Sequence, residues 1–294
     1  MPLVALVKVA DVDTHTRTLA LALLILVSAH AALAQEMPAD AVVVKTLEYE
    51  LYYMPQYRED GERAVVLLNG AVAAAKAKYG TTYRGTPCTV NLYPIPNGKA
   101  STGSASISTS WSNKDLRSCS VHLLTWSAPE WRTAGGSSSW GDPKDIEYWN
   151  AMLVNEYITV LQDMTTVQKP AGFLYYSSPG WFVQGLEAYD GYYHSTEASL
   201  ARVRGLMRDG RLGVSKSQGY AICCNKSNGG QAIGVKSDYT DGLALVAFLA
   251  VQFGEDVHAR ILRSARLTFE EALTQETGVS FDELFQAYRV WLTQ

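Results

Sequence analysis

The chain has 294 residues, 47% apolar and 18% charged, which supplies core material for one large domain or two modest ones and excludes a disordered, collagen-like or coiled-coil polypeptide. A formal net charge of −4 at pH 7 and a pI near 5.8 leave no basic footprint, so no nucleic-acid partner is expected. Seventeen Tyr, seven Trp and seven Phe point either to a well-packed core or to a cleft with stacking surfaces.

The first element is a leader. Leu19 to Val27 is an uninterrupted apolar run, and small residues follow it to Ala32-Leu33-Ala34, the h-region and cleavage pattern of a secretory signal peptide over residues 1–34. The run is far short of the ~20 residues that span a bilayer, and no transmembrane segment is expected elsewhere. Met1 to Thr18 is long for an n-region, which a start codon assigned too early would explain. An exported protein, periplasmic or extracellular, is therefore expected, with a short linker over 35–44.

Export bears on the cysteines. Cys88, Cys119, Cys223 and Cys224 all follow the leader, and an even count in an oxidising compartment favours pairing. Cys88 and Cys119 bracket a β-rich segment as a staple would, while the adjacent Cys223 and Cys224 leave other pairings open.

Residues 45–132 read as a small α/β lobe. Val42 to Tyr53 alternates as a strand does, and Glu62 to Tyr79 puts Val65, Leu68, Val72 and Ala75 on one helical face that stops at Gly80. Thr89 to Tyr93, Ala105 to Trp111 and Val121 to Trp126 read as strands. A Gly/Ser-rich link over Thr133 to Trp140 leads to a mainly helical lobe over 142–294. There, Asp142-Pro143 opens a long helix whose apolar face carries Ile146, Trp149, Leu153, Tyr157, Val160, Leu161 and Met164. Further helices start at Ser178-Pro179 and cover Thr196 to Arg208 and Thr240 to Phe253, and capping boxes at Thr268/Glu271 and Ser280/Glu283 open the last two. The order predicts an α+β fold: a small mixed sheet with one long helix, then a helical lobe.

Two segments carry chemistry. On the long helix, Asn155-Glu156-Tyr157-Ile158-Thr159 has the frame of the H-E-x-x-H zinc helix, with Asn155 and Thr159 where the two His would stand. On the next, Pro179-Gly180-Trp181-Phe182-Val183-Gln184-Gly185-Leu186-Glu187-Ala188-Tyr189 resembles the P-x-W-x-x-E-G-L-A-E-Y segment of gluzincin (peptidase MA-like) metallopeptidases, whose Glu before Gly-Leu is the third zinc ligand; here it is Gln184. Asp238-Tyr239-Thr240 resembles the family's Tyr-bearing segment. The resemblance covers residues 45–294 and implies a zincin-like fold, with Glu156 in the general-base position and Tyr239 in that of an oxyanion-stabilising Tyr.

The same resemblance argues against the family's usual activity. A catalytic zinc needs two imidazoles at i and i+4, about 40° apart on a helix, plus a carboxylate. Asn155, Thr159 and Gln184 offer two carboxamides and a hydroxyl, all neutral and weak toward Zn²⁺, so no metal or other cofactor is expected. The reading is an exported pseudopeptidase that binds a peptide or protein in the former cleft, by strand addition along Val121 to Trp126. Cleft-lining candidates are His122, Leu123, Glu187 and His194; His122 is expected to face solvent and Glu187 to sit on a salt-bridged helix surface. Trp149 and Trp181 are expected to pack between the two site helices, and a solvated polar face is the plain alternative for Asn155, Glu156 and Thr159. Two functional alternatives stand beside the main one. One is an active metallohydrolase with Glu156 as base and ligands drawn from Glu187, Asp190 and His194. The other is an envelope or glycan-binding module with exposed Trp131 or Trp140.

Overall fold

The computed structural model describes residues 37–80, 87–94, 103–109, 117–134, 144–165, 178–193, 196–209, 212, 240–264 and 268–293. The leader, the link over 135–140, Asp142-Pro143, His194, Cys223, Cys224, Tyr239 and Trp140 lie outside them.

Strand β1 (Val42–Lys45) turns at Thr46, whose hydroxyl accepts from the backbone of Glu48 and Tyr49, into β2 (Tyr49–Tyr53). Helix α1 (Arg58–Tyr79) ends where Gly80 adopts φ 63°, a left-handed cap that L side chains resist, and its N–H closes on Lys76 O. Strands β3 (Cys88–Tyr93), β4 (Gly103–Thr109) and β5 (Arg117–Leu124) complete a five-stranded sheet in the order β1-β2-β3-β5-β4. The central pairs β2/β3 and β3/β5 are parallel; the outer pairs are antiparallel. Among the described strands the edge beside β5 is therefore β4. Val121 to Trp126, the stretch expected to offer an edge, lies mostly inside the sheet, because β4 doubles back to pair with it.

Period-2 alternation gives the sheet two unlike faces. Leu51, Val90, Leu92, Val121 and Leu123 are fully buried and share one face by register. Tyr49 on that face bonds Asn69 of α1 and meets the edge of Tyr157 from the long helix α3 (Ile146–Thr165), so both helices cover it. Cys88 and Cys119 stand side by side on β3 and β5 with Cα atoms 4.8 Å apart, in disulfide-compatible positions. The opposite face carries Tyr52, Asn91, Ser120 and His122.

A short helix α2 (Pro129–Ala134) precedes α3, whose first turn is capped by Asp145 Oδ1, accepting from Glu147 N at 3.0 Å. Helix α4 (Gly180–Ala188) runs on into a π-helical turn, Tyr189–Tyr193. Helices α5 (Thr196–Arg208), α6 (Thr240–Phe253), α7 (Val257–Arg263), α8 (Phe269–Thr277) and α9 (Phe281–Trp291) follow, with both expected capping boxes formed at Thr268/Glu271 and Ser280/Glu283. Helix α6 crosses α4 in backbone contact: a Cβ on Gly185 would stand 2.3 Å from the Gly242 carbonyl. One continuous buried cluster takes residues from both the sheet and the helices, so the molecule is α+β around a shared core. Among the described residues no single helix is long and apolar enough to cross a membrane; α6 and α7 pass such a test only together, bent by 100°.

Candidate functional site

Helix α3 has an apolar stripe, and its other residues decide the site. Trp149, Leu153, Tyr157 and Val160 are fully buried, as the periodicity requires. The polar side is buried as well: Asn155 is 6% exposed, Thr159 1% and Gln162 0%. A solvated polar face is thereby overturned, because α4 and its π-helical turn pack over it. At Gly191 the two backbones come so close that a Cβ would lie 2.6 Å from Asn155 Cα. Gln162 Nε2 donates to Leu186 O at 3.3 Å and to Asp190 Oδ2 at 2.9 Å, which ties the two elements together.

The three positions that the resemblance sets against metal ligands behave differently. Thr159 Oγ1 donates back to Asn155 O at 3.0 Å and is satisfied within its own helix. Among the described residues Asn155 Nδ2 and Gln184 Oε1 are buried without a hydrogen-bond partner, as are Gln162 Oε1, Trp181 Nε1 and His258 Nδ1. Each such atom costs about 1–3 kcal/mol relative to a satisfied one. Glu156, next to Asn155 in sequence and half-buried, is pushed up to about 7 by desolvation of its carboxylate. The donor set is thus two carboxamides and a hydroxyl with a carboxyl that protonates near neutral pH, which does not fit a tightly held zinc. Among the described residues no group of three or more His, Cys, Asp or Glu is placed to hold a metal ion.

A second polar cluster lies where the end of α1 meets the π-helical turn. Asp190 accepts from Lys78 Nζ at 2.5 Å, from Gln162, and from the Tyr79 hydroxyl. Lys78 Nζ also stands 4.6 Å from the centre of the Tyr189 ring, whose hydroxyl donates to Glu255 at 2.7 Å. Burial, with the Asp190 carboxylate second, holds the Tyr79 phenol well above its usual range. These groups and the small side chains of α1 line a cavity of about 230 Å³. Beneath it His258, fully buried, donates from Nε2 to Val246 O at 2.9 Å, meets the Tyr189 ring edge-on, and is lowered to about 3, chiefly by desolvation.

Several expectations need correction. His122 does not face solvent: it is 9% exposed, with Nδ1 3.2 Å from both Asn91 Nδ2 and the Tyr93 hydroxyl and Nε2 3.0 Å from Ser120 Oγ. Its neighbour Leu123 points the other way, into the core under the helices, and lines no cleft. Glu187 is 5% exposed and so is no surface residue. Asp190 is engaged by Lys78, Tyr79 and Gln162 instead of being held ready for a metal. Trp149 and Trp181 are both core, but they do not fill one helix–helix seam. Trp149 donates to Leu124 O on the sheet, and Trp181 sits among Phe182, Phe269 and Phe281. Trp131, offered as an exposed stacking surface, is fully buried against Trp126 and Tyr148.

Sequence reasoning missed Lys78, Tyr79 and Gln162. The signal present for Gln162 was its place two turns along from Asn155 on the same polar line. Lys78 and Tyr79 carried none, since their partners lie more than a hundred residues away in sequence. No protein-family model matches this chain, and no curated protein is similar to it in sequence.

Proposed function

We propose that this chain is an exported zincin-fold pseudopeptidase that has lost the zinc ligands and binds a peptide or protein across the former active-site cleft. One observation carries the reading: Asn155 Nδ2 and Gln184 Oε1, at two of the positions matched to metal ligands, are buried and unpartnered on packed helices. A donor and an acceptor held at that cost in neutral side chains suit a neutral polar ligand, such as a peptide group, better than a cation. The antiparallel edge strand β4, which packs against α3, supports the same reading, since an extended segment adds to such an edge by main-chain hydrogen bonds. The apolar leader and the Cys88–Cys119 pair support export.

The test has two arms. Zinc content of the purified protein after dialysis is expected to be far below stoichiometric, and a full equivalent would overturn the reading. Retention of a mixed peptide library on immobilised protein is expected to drop at least about tenfold in the Asn155→Ala/Gln184→Ala double variant, the loss of two hydrogen bonds to a bound amide. Equal retention would remove the cleft as the binding site.

A second reading, an active hydrolase with Glu156 as general base, is favoured by the lift of that carboxyl to about 7, which suits proton transfer near neutral pH. It requires chelator-sensitive hydrolysis that Glu156→Gln abolishes.

A further inference from the structure

The sheet face turned away from the helices holds a reactive arrangement unrelated to the cleft. Ser120 and His122 are two residues apart on β5 and so project from the same face, and His122 lies opposite Asn91 of β3 in the parallel register. Among the described contacts of the imidazole, Nε2 is 3.0 Å from Ser120 Oγ, and Nδ1 is 3.2 Å from the Asn91 carboxamide nitrogen and 3.2 Å from the Tyr93 hydroxyl. Tyr93 also stacks on the ring at 5.7 Å, 29° from parallel, which fixes its plane. His122 and Asn91 are buried while Ser120 is half-buried, the most exposed residue of the three.

We propose that Ser120 is a nucleophile, His122 its general base and Asn91 the positioning residue for an acyl-transfer activity on carboxylic esters. A half-turn of the Asn91 carboxamide exchanges Nδ2 for Oδ1 at this contact, and the Tyr93 hydroxyl oxygen then accepts from the same ring N–H. With Oδ1 of Asn91 turned toward Nδ1, that nitrogen carries the ring proton and Nε2 is left as the acceptor for the Ser120 hydroxyl. Ser120 Oγ adds to the ester carbonyl carbon as its proton passes to Nε2. The imidazolium returns that proton to the departing alkoxide, giving acyl-Ser120 and the free alcohol. Water, deprotonated by the same Nε2, then releases the carboxylic acid and restores the hydroxyl. A neutral Asn stabilises the imidazolium less than a carboxylate does, which restricts the chemistry to good leaving groups and so to esters over amides.

The experiment uses the full chain with a biotinylated fluorophosphonate and with p-nitrophenyl acetate. Peptide mass spectrometry is expected to place the phosphonyl group on Ser120 and not on Ser118, the exposed serine two residues earlier on the same face of the strand. Ser120→Ala is expected to abolish both labelling and ester turnover; His122→Gln, which keeps the hydrogen-bonding bulk, is expected to slow both at least about a hundredfold, the usual contribution of a general base. Asn91→Ala is expected to lower kcat with KM unchanged and to displace the pH–rate profile, which a merely structural role would not do. Labelling that misses Ser120, that falls equally on Ser118, or that survives His122→Gln undiminished would overturn the proposal. Circular dichroism of each variant separates loss of chemistry from loss of fold.

Discussion

Buried polar groups meet α3 at two levels about two turns apart, Asn155 and Gln162, and their hydrogen bonding differs. Around Asp190 the carboxylate takes protons from an ammonium, a phenol and a carboxamide. Around Asn155 and Gln184 a donor and an acceptor are buried with nothing opposite them. The first arrangement is what a folded interior demands, since a buried charge without partners costs far more than its pairing returns. The second is a standing cost that folding does not require. The contrast separates a joint that holds α1 to the π-helical turn, where only Gln162 Oε1 among the described groups stays unsatisfied, from two carboxamides that leave a polar atom unpaired.

Four changes test that contrast. Asp190→Ala leaves Lys78, Tyr79 and Gln162 without their shared acceptor, and urea unfolding is expected to register a loss of about 3–4 kcal/mol. Gly185→Ala drives a methyl into the Gly242 backbone and is expected to cost about 2–3 kcal/mol, because backbone cannot step aside as a side-chain tip can. It also displaces Gln184, so peptide retention falls with it. Glu156→Gln is expected to stabilise the protein by about 1–2 kcal/mol at pH 8 and by nothing near pH 4. Smallest of all, Asn155→Ala removes an unpaired group and is expected to change stability by less than about 1 kcal/mol. A loss at Asn155 as large as that at Asp190 would erase the distinction between the two levels.

The pH dependence has two opposed parts. Glu156 has its folded value raised to about 7, so the native state holds the proton more tightly there, and stability declines as pH rises from the ordinary carboxyl value of 4.5 through 7. His258 has its folded value lowered to about 3, so the unfolded chain binds the extra proton, and stability is lost as pH falls from 6.5 toward 3. Thermal melts are expected to rise with pH to about 4.5, to run level to about 6.5 where the two slopes cancel, and to fall above it. His258→Gln, which can still donate to Val246 O, is expected to remove the rise and turn the level stretch into a decline.

Local signals described the elements well. The α1 stop at Gly80, the helices over 196–208 and 240–253 and both capping boxes were readable because each depends on residues within a turn or two. Helix α7 was not, since the short Val257–Arg263 is buried by α6 and α8 more than by any pattern of its own. Residues 155, 156 and 159 could be placed on one side of α3, but periodicity alone does not distinguish a polar face turned to water from one turned to a polar neighbour. Only the close approach of Gly191 settles that. His122 failed for a related reason: alternation assigned its side of the strand correctly, and the assumption that the far side of the sheet is wet was the error. Asn91 and Tyr93 enclose the ring through a parallel pairing that nothing local to β5 announces.

Strand β4 has a consequence for the order of assembly. Its one described partner is β5, which comes later in the chain, and β5 must also find β3. On a chain emerging from the ribosome or a translocation pore, residues 103–109 have no ladder to join until residue 124 has followed them out. A strand that waits in this way is a hazard when it is rich in long aliphatic side chains. Gly-Ser-Ala-Ser-Ile-Ser-Thr has a single one, and its small and hydroxylated residues give a poor template for intermolecular pairing. Late docking also makes β4 the first strand to leave, so its amides are expected to exchange with solvent faster than those of β3, the central strand hydrogen-bonded on both sides.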